Sequence, residues 1–265
     1  MFKTTSKTLT VICQILLTLL GIIFALPLVV MFAVSLQGRG LGNYELALAV
    51  PNIIRFFLNS IFVTVCTIVL VYTVASIAAY AFSKLRMPGK EFFFNTILVG
   101  LMIPGISVTV PLFILFRNTH VLNTYAAMIL PFTAFSLPFT VLMMRNYFDG
   151  IPTELLDAAM IDGCNSLNAL WWIILPMSKA ISIVVVIWTF LGSWNDYFTA
   201  LVYIRSDEML PVTHLPNFLV RLQGVAAPDI GPVFATLVLI SLPLIVTYIL
   251  LQRYFEDGIV SGALK

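Results

Sequence analysis

Six stretches of the chain are apolar on every side for about as long as a helix needs to cross the hydrocarbon of a bilayer, roughly 20 residues. They lie near residues 10–36, 57–82, 92–116, 125–147, 180–204 and 230–252. Lipid offers no partner to a free backbone N–H or C=O, so each spanning segment must pair its own backbone, as a helix does. Barrel strands would alternate apolar and polar residues over about ten positions, and these runs do not alternate. Composition agrees: 60% of residues are hydrophobic and 10% charged, against roughly 25% charged in soluble domains. The expected fold is an all-α integral membrane protein of six transmembrane helices, with residues 1–265 forming a single transmembrane domain.

The start has the look of a signal peptide, with Lys3 and Lys7 before an apolar run. Signal h-regions are only about 7–15 residues, so the run reads better as a first span. The basic residues then set the orientation. With the N-terminus inside, all lysines and Arg86, Arg145 and Arg253 fall on the cytoplasmic side, and Arg39, Arg55, Arg117, Arg205 and Arg221 outside. That is the bias expected of a cytoplasmic-membrane protein with both termini in the cytoplasm.

Several chemistries are excluded. A net charge of +2 gives no basic face for nucleic acid. Cys13, Cys66 and Cys164 form no metal-ligand spacing, and His120 and His214 are far apart. No G-x-x-x-x-G-K-[ST] occurs, so any ATP must be bound by another polypeptide. Pro104 and Pro111 interrupt the third run, Pro131 and Pro138 the fourth, and Pro243 the sixth. Each removes a helical hydrogen bond, which is tolerated in a packed bundle or beside a wet cavity. Kinked structural helices and helices lining a path both fit.

The most informative segment is the cytoplasmic connection 150–176 between the fourth and fifth spans. Pro152 suits the first position of a helix, and Glu154 and Asp157 put negative charge near its positive end. Leu155 with Ala159 and Leu156 with Met160 recur at i,i+4, and small Ala158 and Ala159 allow a partner's backbone to come close. Gly163 can take the left-handed conformation that ends a helix. Asn165 or Ser166 can cap a second short helix toward Trp171 and Trp172, which Pro176 stops before the fifth span. The result is a helix–turn–helix knob whose acidic face does not suit anionic headgroups.

The spacing Asp157-Ala158-Ala159, three residues, Gly163, nine residues, Ile173-x-Leu175-Pro176 resembles the EAA loop of binding-protein-dependent ABC importer permeases. Ile151-Pro152-x-Glu154-Leu155, Asn59-Ser60, Met102-Ile103-Pro104, Trp194-Asn195-Asp196-Tyr197 and the tail from Gln252 to Lys265, with Gly258 and Gly262-Ala263-x-Lys265, are similar to its carbohydrate, maltose-permease-like branch. Asp157 stands where that family usually has Glu, and the outer loop from Gln37 to Arg55 lacks its proline-rich stretch.

The resemblance implies a sugar-importing permease subunit, not an enzyme, that binds no cofactor itself. Two copies of an ATPase subunit would bind ATP and Mg. A second, different permease and an extracytoplasmic solute-binding protein would complete the assembly. It also implies that Glu154, Leu155, Asp157, Ala158, Ala159 and Gly163, with Gly262 and Lys265 of the tail, meet the ATPase.

For the substrate path the candidates are Trp194, Asn195, Asp196 and Tyr197. They fall about 15 residues into the fifth span, roughly 22 Å from its cytoplasmic start at 1.5 Å per residue. A carboxyl group there faces a cavity or a partner, and hydroxyl-rich sugars suit polar groups flanked by aromatic faces. The other reading makes Trp194 and Tyr197 interfacial belt residues and pairs Asp196 with Arg205 or a neighbouring helix. The outer stretch from Arg205 to Asp229 is either a binding-protein surface or a solvated loop. An ion-coupled carrier is the rival transport class, but it would call for acidic or histidine residues paired in several spans, and only Asp196 qualifies.

Overall fold

The computed structural model describes residues 7–224 and 228–263, with side chains described from 9 to 224 and 228 to 250. Every regular element among them is helical, as lipid solvation demands. Four helices are long and apolar enough to cross a membrane: Leu9–Ser35, Ile53–Lys84, Ala126–Asp149 and Ile230–Leu250. Two bent pairs, Lys90–Met102 with Gly105–Asn118 and Ser166–Met177 with Lys179–Trp194, raise the number to six if each is one span.

The chain divides into two compact units, Met1–Ile53 with Leu215–Leu242, and Ile54–His214 with Pro243–Lys265. In the first, α1 (Lys7–Ser35) is apolar and almost wholly exposed. The short α2 (Gly42–Leu48) is fastened to the end of α1 by Asn43, whose Nδ2 donates to the Ser35 carbonyl at 2.9 Å and the Gln37 carbonyl at 2.7 Å. Gly231, at the start of α13 (Ile230–Ala263), lies so close to Asn43 that a Cβ would meet its amide at 2.4 Å. The outer stretch expected as a loop carries its own helix, α12 (Leu215–Gln223).

The second unit is built on α3 (Ile53–Lys84) and α6 (Ala126–Asp149). The third run is not one helix. It splits into α4 (Lys90–Val99), a 3-10 turn Gly100–Met102, and α5 (Gly105–Asn118), bent by 98°. Proline disfavours the helical conformation in the residue before it, and Ile103 is extended at φ −83°, ψ 115°. Glycines at 100 and 105, poor helix formers, flank the break. Pro111, Pro131, Pro138 and Pro243 stay inside helices.

Beyond α6 come α7 (Glu154–Ile161), α8 (Ser166–Ala169), a π-helical stretch Leu170–Ile174 and α9 (Leu175–Met177). Pro176 does not stop this path; it sits in the first turn of α9, where its missing N–H goes unneeded. The 86° bend comes at Ser178, before α10 (Lys179–Trp194). The fifth run, expected to be continuous over 180–204, also breaks: α10 ends at Trp194 and α11 (Phe198–Tyr203) follows.

One core joins these elements. Ala75 and Ala79 of α3, Phe94 of α4, Val141, Met144 and Phe148 of α6, Leu156 of α7, and Leu170, Ile174 and Leu175 beyond α8 are buried together, with Ile181 and Val185 of α10. At its edge Arg145 is only 13% exposed, within ion-pair distance of Glu91 at 2.5 Å and Asp149 at 3.8 Å. Its guanidinium lies 3.9 Å from the centre of the Phe94 ring. Replacing it should lower stability by about 1–2 kcal/mol, mostly through the lost cation–π contact. Thermal unfolding in detergent should show Arg145→Ala below the parent, with Arg145→Lys recovering only part, since an ammonium cannot reproduce the planar stack.

Candidate functional site: a rooted knob and a cavity at two helix breaks

α7 starts with Glu154 and ends in a fully formed left-handed cap. Thr153 accepts the Leu156 and Asp157 N–H groups at 2.9 and 3.1 Å. Pro152 therefore lies just ahead of the helix and not at its first position. At the far end Gly163 has φ +83°. The Cys164 N–H reaches the Ala159 carbonyl at 2.9 Å, and the Gly163 N–H reaches that of Met160 at 3.1 Å. That pair of bonds is the Schellman motif, and it requires a residue that tolerates positive φ. Asn165 then caps α8, its Oδ1 accepting the Asn168 N–H at 2.8 Å.

The knob has two faces. Leu156, Ala159, Ala169, Leu170 and Ile174 are buried, so its inner side is part of the unit's core. Ala159, expected on the contact face, is turned inward, and its small size suits close seating. Glu154, Leu155, Asp157, Ala158 and Gly163 are exposed. So are five apolar residues absent from the expected set: Met160, Ile161 at 87%, Leu167, Trp171 and Trp172. Their signal was the apolar pair at 160–161 and Leu167, of which Ile161 lies on the side of α7 away from Leu156. Of the tail residues, Lys265 lies outside the described residues, and Gly262 lies in α13 beyond the last described side chain.

At the other end of α10 the tetrad 194–197 separates. Trp194 is buried, its ring stacked on Phe190 at 5.6 Å and tilted against Phe57 at 6.5 Å. Asn195 is spent locally, donating to the Leu191 carbonyl at 2.8 Å. Tyr197 stacks on His214 with ring centres 4.3 Å apart. Asp196 caps α11, accepting the Thr199 N–H at 3.1 Å, and the salt bridges of the described residues do not include it. The alternative pairing with Arg205 is not formed.

Two carbonyls at the break between α10 and α11 meet the stretch before α12, that of Tyr197 also accepting the Leu201 N–H at 3.1 Å. Thr213 Oγ1 donates to the Asp196 carbonyl at 3.1 Å, and His214 Nε2 lies 3.0 Å from that of Tyr197. Of the four tetrad residues only Asp196 lines a cavity of about 640 Å³. The other walls come from α5 and its preceding break (Gly105), from α6 (Phe132, Phe135, Phe139), from α10 (Trp188) and from α11 (Tyr203). Sequence reasoning missed these aromatics. Their spacing at 132, 135 and 139 was the available clue, but in a chain this apolar it reads equally as packing.

Comparison with known proteins converges. Residues 71–261 match the family described as binding-protein-dependent transport system inner membrane component. The chain is 36% identical to the probable ABC transporter permease protein YurM of Bacillus subtilis, over 81% of this chain and 70% of that one. It is 34% identical to the arabinooligosaccharides transport system permease protein AraQ of Halalkalibacterium halodurans, over 79% and 74%. The diacetylchitobiose uptake system permease protein NgcG of Streptomyces coelicolor is 30% identical over 84% and 74%. In fold, the chain superposes on a crystal structure of a bacterial ABC transporter involved in the import of the acidic polysaccharide alginate. The TM-score is 0.79 at 24% identity, covering 96% of this chain and all of that one. The rival reading as an ion-coupled carrier falls with these matches, and the chain belongs to the inner-membrane permease components of binding-protein-dependent ABC transport systems.

Proposed function

We propose that this permease carries a sugar or related carbohydrate into the cell, driven by ATP hydrolysis in partner subunits that grip the 150–176 knob. The observation that carries the reading is mechanical. The knob's outer face is acidic and apolar, while its inner face is continuous with the bundle core, so force applied outside reaches the helices without a flexible joint. Glu154 and Asp157 would pair with basic groups of the ATPase cleft, and Leu155, Ala158 and Gly163 would supply the fit. Two ATPase copies would bind ATP and Mg, and Gly262 and Lys265 would add a second contact. A different second permease and an extracytoplasmic binding protein complete the assembly, with both termini in the cytoplasm. The carbohydrate cargo is supported by relatives named for arabino-oligosaccharide and diacetylchitobiose uptake.

Charge reversal tests the grip. Asp157→Lys together with Glu154→Lys replaces attraction by repulsion, so ATPase co-purification and uptake should fall by about tenfold or more, about 1.4 kcal/mol per decade. Acidic substitutions in the ATPase cleft should restore them. Undiminished uptake in the double variant would overturn the coupling role.

A further inference from the structure

The cavity at the helix breaks has a chemistry that import alone does not require. Phe132, Phe135 and Phe139 follow one another along one face of α6, and the Phe139 ring centre lies 5.4 Å from that of Trp188 on α10. One turn beyond Trp188, Gly192 carries no side chain. A Cβ there would stand 2.5 Å from the tip of the Phe132 ring, so the glycine lets that ring lie back against α10 and keeps the space open. The volume, about 640 Å³, falls within the range of small-molecule sites, roughly 300–1,000 Å³.

Thr109, Ser136, Thr199 and Tyr203 add polar groups to the lining, and Asp196 is its one charged residue. Asp196 uses Oδ1 to cap α11, leaving Oδ2 for a ligand. Its backbone is held from behind by Thr213, so the carboxylate is positioned and not free to swing with the chain. No Lys, Arg or His lines the cavity. A carboxylate among apolar walls accepts hydroxyl hydrogens strongly, while a second negative charge beside it would be both desolvated and repelled.

Resting on the carbohydrate-import reading above, we propose that this cavity takes one uncharged saccharide ring of the cargo. Its C–H faces lie against Trp188 and the α6 phenylalanines, and its hydroxyls donate to Asp196. This subunit thereby screens the cargo and rejects anionic sugars.

The test uses the assembled permease–ATPase complex in nanodiscs without binding protein. Saturation-transfer NMR is read against neutral disaccharides (maltose, cellobiose, xylobiose, mannobiose, chitobiose) and against digalacturonate. At least one neutral probe should show ring-proton transfer, and digalacturonate none. Trp188→Ala should weaken that neutral signal tenfold or more. Gly192→Val, which drives the Phe132 ring into the cavity without touching Asp196, should do the same. Asp196→Asn should erase the difference between neutral and anionic probes. ATPase co-purification with each variant checks folding.

The proposal is overturned if no neutral probe binds, if binding is indifferent to both Trp188→Ala and Gly192→Val, or if digalacturonate binds the parent as well as the neutral sugars do. ATP hydrolysis in the same nanodiscs, and its response to reversal of Glu154 and Asp157, reports the import reading separately. Intact coupling with an empty cavity sinks only this inference.

Discussion

Gly163→Pro should leave the protein in the membrane but reduce uptake by about 100-fold or more. Proline fixes φ near −65°, whereas Gly163 sits at φ +83°. Proline also lacks the N–H that reaches the Met160 carbonyl. The Schellman cap of α7 cannot form, α7 and α8 must change direction, and the outer face is no longer presented on its seat. A conformational cost of about 3 kcal/mol or more corresponds to two decades in the population of the competent knob. Membrane insertion depends on the apolar spans and is not touched.

Gly163→Ala separates backbone conformation from crowding. Nothing lies within 4 Å of a Cβ built there, so alanine meets no steric obstacle and pays only for the left-handed region, about 1–2 kcal/mol. Uptake should fall about tenfold and protein level should not. If proline proves as mild as alanine, knob geometry is not what transmits the motion. Immunoblots of membranes alongside radiolabelled maltose or chitobiose uptake, using whichever sugar the parent complex carries, decide between these outcomes.

How much could be read beforehand depended on whether the signal was local. Span positions were legible because bilayer thickness imposes a run length that no other feature of the chain mimics. The turn at Gly163 and the cap at Asn165 were legible because each is decided within five residues by backbone chemistry. The breaks were legible only in part. Six prolines sit within the expected third, fourth and sixth spans, yet only Pro104 breaks its helix, because only there do flanking glycines and an extended preceding residue act together. The break after Trp194 has no proline at all; it is held by Thr213 and His214, nearly twenty residues away in sequence. For the same reason the tetrad 194–197 misled: adjacency along the chain suggested one shared site, but ending the helix sends Trp194 inward, Tyr197 onto His214 and Asp196 alone to the cavity.

Asn59→Ala should lower stability by about 2–4 kcal/mol and disable transport without detaching the ATPase. Asn59 is 4% exposed near the start of α3. Its Nδ2 donates to the Glu208 and Leu210 carbonyls, both at 2.9 Å, and its Oδ1 accepts the Tyr125 hydroxyl at 2.8 Å. The next residue, Ser60, accepts the Val212 N–H at 2.7 Å. Two side chains thus hold the backbone of 208–212, the stretch that leads directly into Thr213 and His214 and so into the carbonyls of the Asp196 break. Alanine leaves two carbonyls and a hydroxyl without their partner, each worth about 1–3 kcal/mol when buried; groups near Glu208 can turn to water, which keeps the total below the simple sum. Asn59→Asp is the sharper variant. It preserves shape and the Tyr125 bond but turns a negative oxygen toward two carbonyl oxygens, so it should unfold in detergent at a temperature no higher than the alanine variant. An aspartate that matched the parent in tryptophan-monitored melting would show that the outer stretch is not held through this amide, and that the Asp196 break is fixed by other means.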